Sequence, residues 1–343
     1  MDLKSLLNLK KKFKKSQSRV GLDIGSSSVK AIKLKFENDS VELCDFAVIS
    51  TLENGFAHAA RQAMQPLEIK TVNTSVSGPS TIIRYVNFPK MSPDELKKAL
   101  KFEAQKYIPF SLAEVNIDAA ILKDNLQDNK MLVAIAAVKK DFFTQRLKLF
   151  EGSDFKINII DIDSLALINA FNFNYPRDSN TKPKSAALLN IGATFSNLNI
   201  LEDGAPLLSR DMNIAGNNFT QKIADAFEMD FKAAEELKIN PDKERMQKLI
   251  QATEPAVSNL ATEIRVSFDY YESQSASSVG KIFLSGGGSS FLGLKDALAN
   301  SLGIEVEYWD TLKQISVSST IDSAKLKSVS SQLGIALGLA LRA

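Results

Sequence analysis

The sequence is poor in the residues that many catalytic chemistries need. Its 343 residues include one cysteine, Cys44, and one histidine, His58. A lone cysteine excludes an internal disulfide framework and fits a reducing compartment. A lone histidine leaves no multi-histidine metal site, which argues against zinc hydrolase chemistry. A serine-histidine-acid triad would have to use His58, which lies in the alanine-flanked helical stretch Phe56 to Met64, and no nucleophile-elbow motif occurs elsewhere. His58 is therefore expected to be structural. No apolar run reaches the ~18 residues of a membrane span, and the Leu6-Leu7 stretch is too short and interrupted for a signal peptide. A cytoplasmic location is expected. The common nucleotide motifs are missing too. Lys295 is out of place for a P-loop, and Phe291 stands where a dinucleotide fingerprint needs its final glycine.

What is present is an ordinary globular composition, 44% hydrophobic and 24% charged, long enough for two domains or one large composite one. The net charge of +2 hides an asymmetry, because residues 1–19 hold seven of the 42 basic groups and one of the 40 acidic groups. The rest of the chain has 35 basic and 39 acidic groups. A basic tail over residues 1–18 on a slightly acidic body argues against a nucleic-acid footprint. Leu3, Leu6 and Leu7 share a helical side and Lys10, Lys11 and Lys14 follow, with Phe13 among them. Residues 1–15 are thus either a short amphipathic helix on an anionic membrane surface or a solvated basic arm.

From Arg19 the pattern becomes regular. Val20 to Ile24 is apolar, Gly25 to Ser28 is small and polar, and Val29, Ile32, Leu34 and Phe36 resume an apolar run. A second turn, Glu37-Asn38-Asp39-Ser40, leads into Val41 to Ile49, so three strands are predicted, then a helix over Phe56 to Gln65 that Pro66 stops. The design returns 167 positions later. Ala187 to Thr194 repeats Gly21 to Ser27, Leu198 to Leu201 and Leu207-Leu208 supply two more strands around Asp203-Gly204, and a helix from about Ile214 to Phe227 follows. So long a spacing marks a duplicated domain, not a solenoid with its repeat of roughly 20 to 50 residues.

Between the copies, residues 82–150 follow a different grammar. Ile82 to Phe88 alternates like a half-buried strand, and Ser92-Pro93-Asp94-Glu95 is a capping box that opens a helix to about Tyr107. Val115 to Leu122 and Met131 to Val138 read as strands and Asp141 to Phe150 as a helix, making a compact α+β insertion. Ile157 to Ile162 is a further strand, Leu165 to Phe171 a helix, and Asn174 to Lys184 a linker. Leu260, Ile264, Ser267, Phe268 and Tyr271 form a helical core stripe, Ser316 to Ser331 reads as a connecting surface segment, and Cys44 as a small buried hydrophobe.

Three small-residue clusters have chemical potential. In Asp23-Ile24-Gly25-Ser26-Ser27-Ser28-Val29-Lys30, glycine and serines let backbone N–H groups and hydroxyls approach an anion, and the carboxylate of Asp23 can hold a hydrated cation against it. That suits a phosphate chain with magnesium. Gly192-Ala193-Thr194 is the second copy, and two such hairpins can clamp a polyphosphate from both sides. Gly286, Gly287, Gly288 and Ser289 follow an apolar strand and precede a helix expected from about Leu292 to Leu302, where glycines let a ring or phosphate reach the backbone.

These segments resemble, in chain order over most of residues 19–343, the nucleotide-binding elements of the actin-like ATPase superfamily. Asp23 to Lys30 is similar to its first phosphate loop, Ile191 to Asn197 to its second, Gly286 to Ser289 to its adenosine motif, and Ala234 to Lys238 to the Glu and Lys that flank the nucleoside. The insertion resembles the FtsA branch. The Gly21 to Lys30 motif and the Gly334 to Arg342 terminus are most similar to the PilM family of type IV pilus assembly proteins.

This resemblance implies a duplicated α/β actin-like (ribonuclease H-like) fold with two lobes around a nucleotide cleft. The first lobe would comprise residues 19–81, with 151–175 and about 320–343 returning to it, the insertion residues 82–150, and the second lobe residues 185–319. ATP and Mg2+ are the implied cofactors. The implied phosphate contacts are Asp23, Gly25, Ser26, Ser27, Ser28, Lys30, Gly192, Ala193, Thr194 and Gly216, with Asp23 reaching the metal through water. Glu235, Lys238, Gly286, Gly287, Gly288 and Ser289 would hold adenosine, although Glu235 and Lys238 also fit an ordinary solvated i, i+3 pair. The implied partners are the cytoplasmic N-terminal peptide of a PilN-like inner-membrane protein, docked on the insertion, other inner-membrane pilus components, and further copies of this chain, all at the inner face of the membrane. An FtsA-like filament protein and a small-molecule kinase remain alternatives.

One departure bears on turnover. Asn190 replaces the aspartate that opens the second phosphate loop in most relatives, so at most slow hydrolysis is expected. Asn190 and Asp163 are the candidates near the attacking water, while Asp161 and Asp163 equally fit strand-end carboxylates that cap the next helix.

Overall fold

The computed structural model describes residues 16–52, 55–176, 184–275 and 277–342. The expected tail contacts of residues 1–15 lie outside the described residues, as does most of the linker. The chain forms two compact units, one of residues 1–176, 311–326 and 333–343, the other of residues 177–310 and 327–332.

In the first unit, β1 (Gln17–Ile24), β2 (Ser28–Glu37) and β3 (Ser40–Ser50) make an antiparallel meander. Asn38 and Asp39 both take positive φ between β2 and β3, the backbone of a tight hairpin turn that Asn and Asp tolerate. Helix α1 (Gly55–Met64) buries Ala59, Ala60, Ala63 and Met64, and Pro66 starts a single 3-10 turn after it. His58 is exposed on this helix. Strand β4 (Thr71–Val76) then pairs in parallel with β1.

The insertion comes next: β5 (Thr81–Pro89), α2 (Pro93–Glu103), β6 (Val115–Leu126), β7 (Lys130–Lys139) and α3 (Lys140–Lys148). Its antiparallel sheet has the order β5-β7-β6 and its own core, centred on Met131, Val133, Ile135 and Ala137 of β7. The capping box forms as the sequence predicts, with Ser92 N–H donating to Glu95 Oε2 at 2.7 Å and Glu95 N–H to Ser92 Oγ at 3.3 Å. Strand β8 (Lys156–Ile162) rejoins the main sheet beside β4 and leads into α4 (Asp163–Asn174).

The second unit repeats this plan. Strands β9 (Ser185–Ile191), β10 (Ser196–Glu202) and β11 (Ala205–Met212) form a meander, followed by α5 (Gly216–Phe227), α6 (Phe231–Ile239), α7 (Met246–Gln274), β12 (Lys281–Ser285), α8 (Leu294–Leu302) and β13 (Glu305–Tyr308). Its sheet order is β11-β10-β9-β12-β13. In each sheet the first strand lies between the second and fourth, antiparallel to the former and parallel to the latter. The predicted stripe on α7 is buried in this unit's core.

The C-terminal segment holds β14 (Ser316–Val317), α9 (Ser323–Val329) and α10 (Gly334–Leu341). Strand β14 extends the first sheet to β14-β3-β2-β1-β4-β8 by pairing in parallel with β3, and Thr311 O accepts from Asn174 Nδ2 at 2.8 Å. Residues 311–319 therefore pack in the first unit rather than with the second lobe. Part of the serine-rich stretch is thus a sheet edge, not only a surface connection. Two residues were too few to show the alternation of a strand.

Helix α10 is buried all round, packed on β1 and α4. Glycine makes this approach feasible: a Cβ on Gly21 would sit 2.0 Å from Ala336 O, and one on Gly338 1.7 Å from Ala166 O. Among the described residues no helix is long and apolar enough to cross a membrane. Cys44 on β3 is half-buried instead of buried.

Candidate functional site

Each hairpin turn is built from strand register. In the first unit Asp23 and Lys30 stand directly opposite each other on β1 and β2, and Lys30 Nζ lies 3.3 Å from Asp23 Oδ2. Burial raises the Asp23 carboxyl above its ordinary range, Lys30 pulls it back, and the nearby charge of Asp163 raises it further. Gly25 N–H donates to Ser28 O at 3.1 Å and closes the turn. A Cβ on Gly25 would stand 2.7 Å from Lys30 Nζ, so glycine is what lets the ammonium lie against the turn. The tip is tied from outside: Ser26 O accepts from Thr51 Oγ1 at 2.7 Å and Ser27 O from Thr51 N–H at 3.0 Å. Thr51 was not singled out from sequence, since nothing local marks it.

A second residue missed by sequence reasoning is Arg146 on α3. Its Nη1 donates to Ile24 O at 3.2 Å, and its charge acts on both Asp23 and Asp163. Burial lowers the guanidinium pKa and the two carboxylates oppose that shift. Asp163 opens α4 and so belongs to this group. Asp161, two residues earlier, is fully buried and pairs with Arg342 at 2.7 Å, a structural contact. Asp161 Oδ1 also accepts from Ile162 N–H at 2.8 Å, at the junction of β8 and α4.

In the second unit, Gly192 N–H donates to Phe195 O at 3.0 Å, closing the copy of the turn. The loop is docked on α5, with Gly216 N–H donating to Gly192 O at 3.0 Å and Asn217 N–H to Ala193 O at 2.8 Å. Because these first-turn amides of α5 are engaged by the protein, anion contacts in this region fall to the turn itself. Thr194 is exposed at its tip. Asn190 Oδ1 accepts from Ser285 Oγ at 3.2 Å, which fixes the amide against β12.

The glycine cluster lies against the same turn. Gly286 has φ +89°, and a Cβ there would lie 2.3 Å from Ile191 O, while one on Gly288 would lie 2.6 Å from Ile191 Cγ2. These two glycines are required by close packing on β9. Gly287 is exposed, and a Cβ on it would meet only Gln332 at ordinary contact distance. Ser289 is buried and its Oγ donates to Gly286 O at 2.7 Å.

Glu235 and Lys238 are not a solvated pair. Lys238 Nζ donates to Glu235 Oε2 at 2.6 Å, Thr220 Oγ1 at 2.7 Å and Gly216 O at 3.2 Å, so it joins α6 to the start of α5. Burial lowers the Lys238 pKa and Glu235 opposes the shift. The predicted residues thus gather in two groups, Asp23, Gly25 to Ser28, Lys30 and Asp163 in the first unit, and Asn190, Gly192 to Thr194, Gly216, Glu235, Lys238 and Gly286 to Ser289 in the second.

Among the described residues no cluster of three or more His, Cys, Asp or Glu could cage a metal. This donor set suits magnesium, which keeps its waters and needs one or two carboxylates beside substrate phosphates. Asp23 and Asp163 fit that role.

The family model described as "Type IV pilus assembly protein PilM" matches residues 21–343. The chain belongs to the PilM family of type IV pilus assembly proteins. A solved structure titled "PilM-PilN type IV pilus biogenesis complex" is similar at 26% identity, covering 94% of this chain and 98% of that one with a TM-score of 0.83. The ethanolamine utilization protein EutJ from Carboxydothermus hydrogenoformans shares the fold at 12% identity, with 97% and 92% coverage and a TM-score of 0.56. The fold is the actin-like ATPase fold, as expected from the sequence, and it carries the α+β insertion with its own three-stranded sheet.

Proposed function

We propose that this PilM-family protein binds ATP with magnesium and, at the cytoplasmic face of the inner membrane, holds the N-terminal peptide of a PilN-like protein within the pilus assembly complex. The observation that carries the nucleotide reading is the duplicated turn, closed the same way by Gly25 and Gly192 at the same place in both sheets. Asp23, through water, is the metal contact. Gly25 to Ser28, Lys30 and Gly192 to Thr194 serve the phosphates, with Gly216 of α5 holding the second turn in place through its N–H on Gly192 O, while Glu235, Lys238 and Gly286 to Ser289 serve adenosine. Magnesium, when bound, supplies positive charge against the phosphate chain. Asn190 has an amide that cannot take a proton, so hydrolysis is at most slow, with Asp163 the remaining carboxylate beside Asp23.

The insertion supplies the partner surface. A groove of about 700 Å³ runs between α2 and β6, lined by Leu96, Leu100, Val115, Ile117 and Ile121, with Lys97 and Lys101 at its rim. Strand β6 is an edge of its sheet, so an extended peptide can add backbone hydrogen bonds and seat alternate side chains in the groove. The family membership and the titled PilM-PilN relative favour this partner over the filament and kinase alternatives.

Photocrosslinking with the N-terminal peptide of the PilN-like protein tests it. Crosslinks within residues 82–150 are expected, and crosslinks confined to residues beyond Ser185 reject this surface. For the basic tail, deleting residues 1–15 should reduce sedimentation with anionic vesicles at low salt without loss of ATP binding. Equal sedimentation would remove the tail as a membrane contact.

A further inference from the structure

Arg146 stands on the last helix of the insertion, yet the carboxylates its charge acts on belong to the main sheet and α4. Its Nη1 donates to Ile24 O, the last residue of β1 before the first turn, and its charge interacts electrostatically with those of Asp23 and Asp163. On its own helix the guanidinium lies 5.9 Å from the ring centroid of Phe142, one turn earlier. Helix α3 buries no side chain fully, and its Phe142 and Phe143 are only half-buried. Arg146 therefore links a lightly packed helix of the insertion to the strand end that carries the turn.

The cluster is balanced by two carboxylates, Asp23 and Asp163, and two cations, Lys30 and Arg146. A phosphate chain with its metal would redistribute these partners, drawing carboxylates to the metal and cations to the phosphate oxygens. Lys30 is already held by Asp23 at 3.3 Å. Arg146 has a planar fork of donors, suited to two phosphate oxygens at once, which a lysine ammonium cannot match.

The geometry points to Arg146 as a phosphate ligand contributed by the insertion, taking the terminal phosphate of ATP so that α3 is held more firmly when ATP is bound than when ADP is bound. The inference rests on the ATP reading above. It gives the insertion, where the peptide groove lies, a direct contact with the nucleotide.

The test uses the full chain and compares wild type, Arg146→Gln and Arg146→Lys in titrations with MgATP and MgADP, together with hydrogen exchange over residues 140–148. Arg146→Gln should lose about tenfold or more in MgATP affinity while MgADP affinity changes less than about twofold. Arg146→Lys, which keeps the charge without the fork, should fall between. In wild type, α3 amides should be better protected with MgATP than with MgADP, and the difference should vanish in Arg146→Gln. Equal loss for both nucleotides would reduce Arg146 to an anchor for Ile24 and overturn the inference, as would equal α3 protection in the two nucleotide states. A wild-type protein that binds neither nucleotide would overturn the ATP reading itself, a result separate from either of these.

Discussion

Arg342 Nε lies 2.7 Å from Asp161 Oδ2, an ion pair that joins the C-terminal segment to the end of β8 with both side chains out of solvent. Burial raises the Asp161 carboxyl and Arg342 pulls it back. Removing one partner strands a buried charge. Arg342→Met should cost about 3–5 kcal/mol of stability, and Asp161→Asn combined with Arg342→Met should recover most of it. Denaturant unfolding of the single and double variants measures this, and equal losses in both would refute the pairing as the cause.

Asp23 carries the opposite lesson, since its carboxylate is poorly placed for stability. Burial raises its pKa above the ordinary 3.8, so between that value and the folded one the folded chain holds a proton that the unfolded chain has released. Stability from this group therefore falls as pH rises through the window. Relative to wild type, Asp23→Asn should have a higher thermal midpoint at neutral pH than at about pH 4. A difference that is flat or reversed with pH would show that Lys30 outweighs desolvation.

Much of this was legible in the sequence because it is local. The turns at Gly25 and Gly192 sit between alternating apolar runs, the capping box spans Ser92 to Glu95, and the Gly286 cluster interrupts a strand-to-helix junction. The Asp23–Lys30 pair also follows from register once the turn is placed, because hairpin partners are symmetric about its centre. What was not legible joins distant segments. Thr51 on the first turn, Arg146 on Ile24 and Arg342 on Asp161 leave no periodic trace, since their meeting depends on the completed sheet. The α6–α5 role of Lys238 was hidden for the same reason, behind a spacing that an exposed ion pair shares.

Glycines separate packing from ligand approach. Gly338→Ala would place a Cβ 1.7 Å from Ala166 O, and overpacking of this kind costs about 1–3 kcal/mol or more. Gly287→Ala meets only Gln332 at ordinary distance and should stay within about 0.5 kcal/mol of wild type. Denaturant midpoints of the two variants decide this; a similar loss in both would mean that Gly287 is held by the fold and not available to a ligand.

The tolerance of Gly287 makes it the cleanest probe of the nucleotide reading. Calorimetric titration of the full chain with ATP, with and without magnesium, compares wild type, Asp23→Asn and Gly287→Trp. Wild type should bind ATP more tightly with magnesium, Asp23→Asn should lose that magnesium dependence, and Gly287→Trp should bind about tenfold or more weakly while remaining folded. Wild-type affinity in both variants, or no binding by the wild type, would contradict the assignment of these turns to ATP.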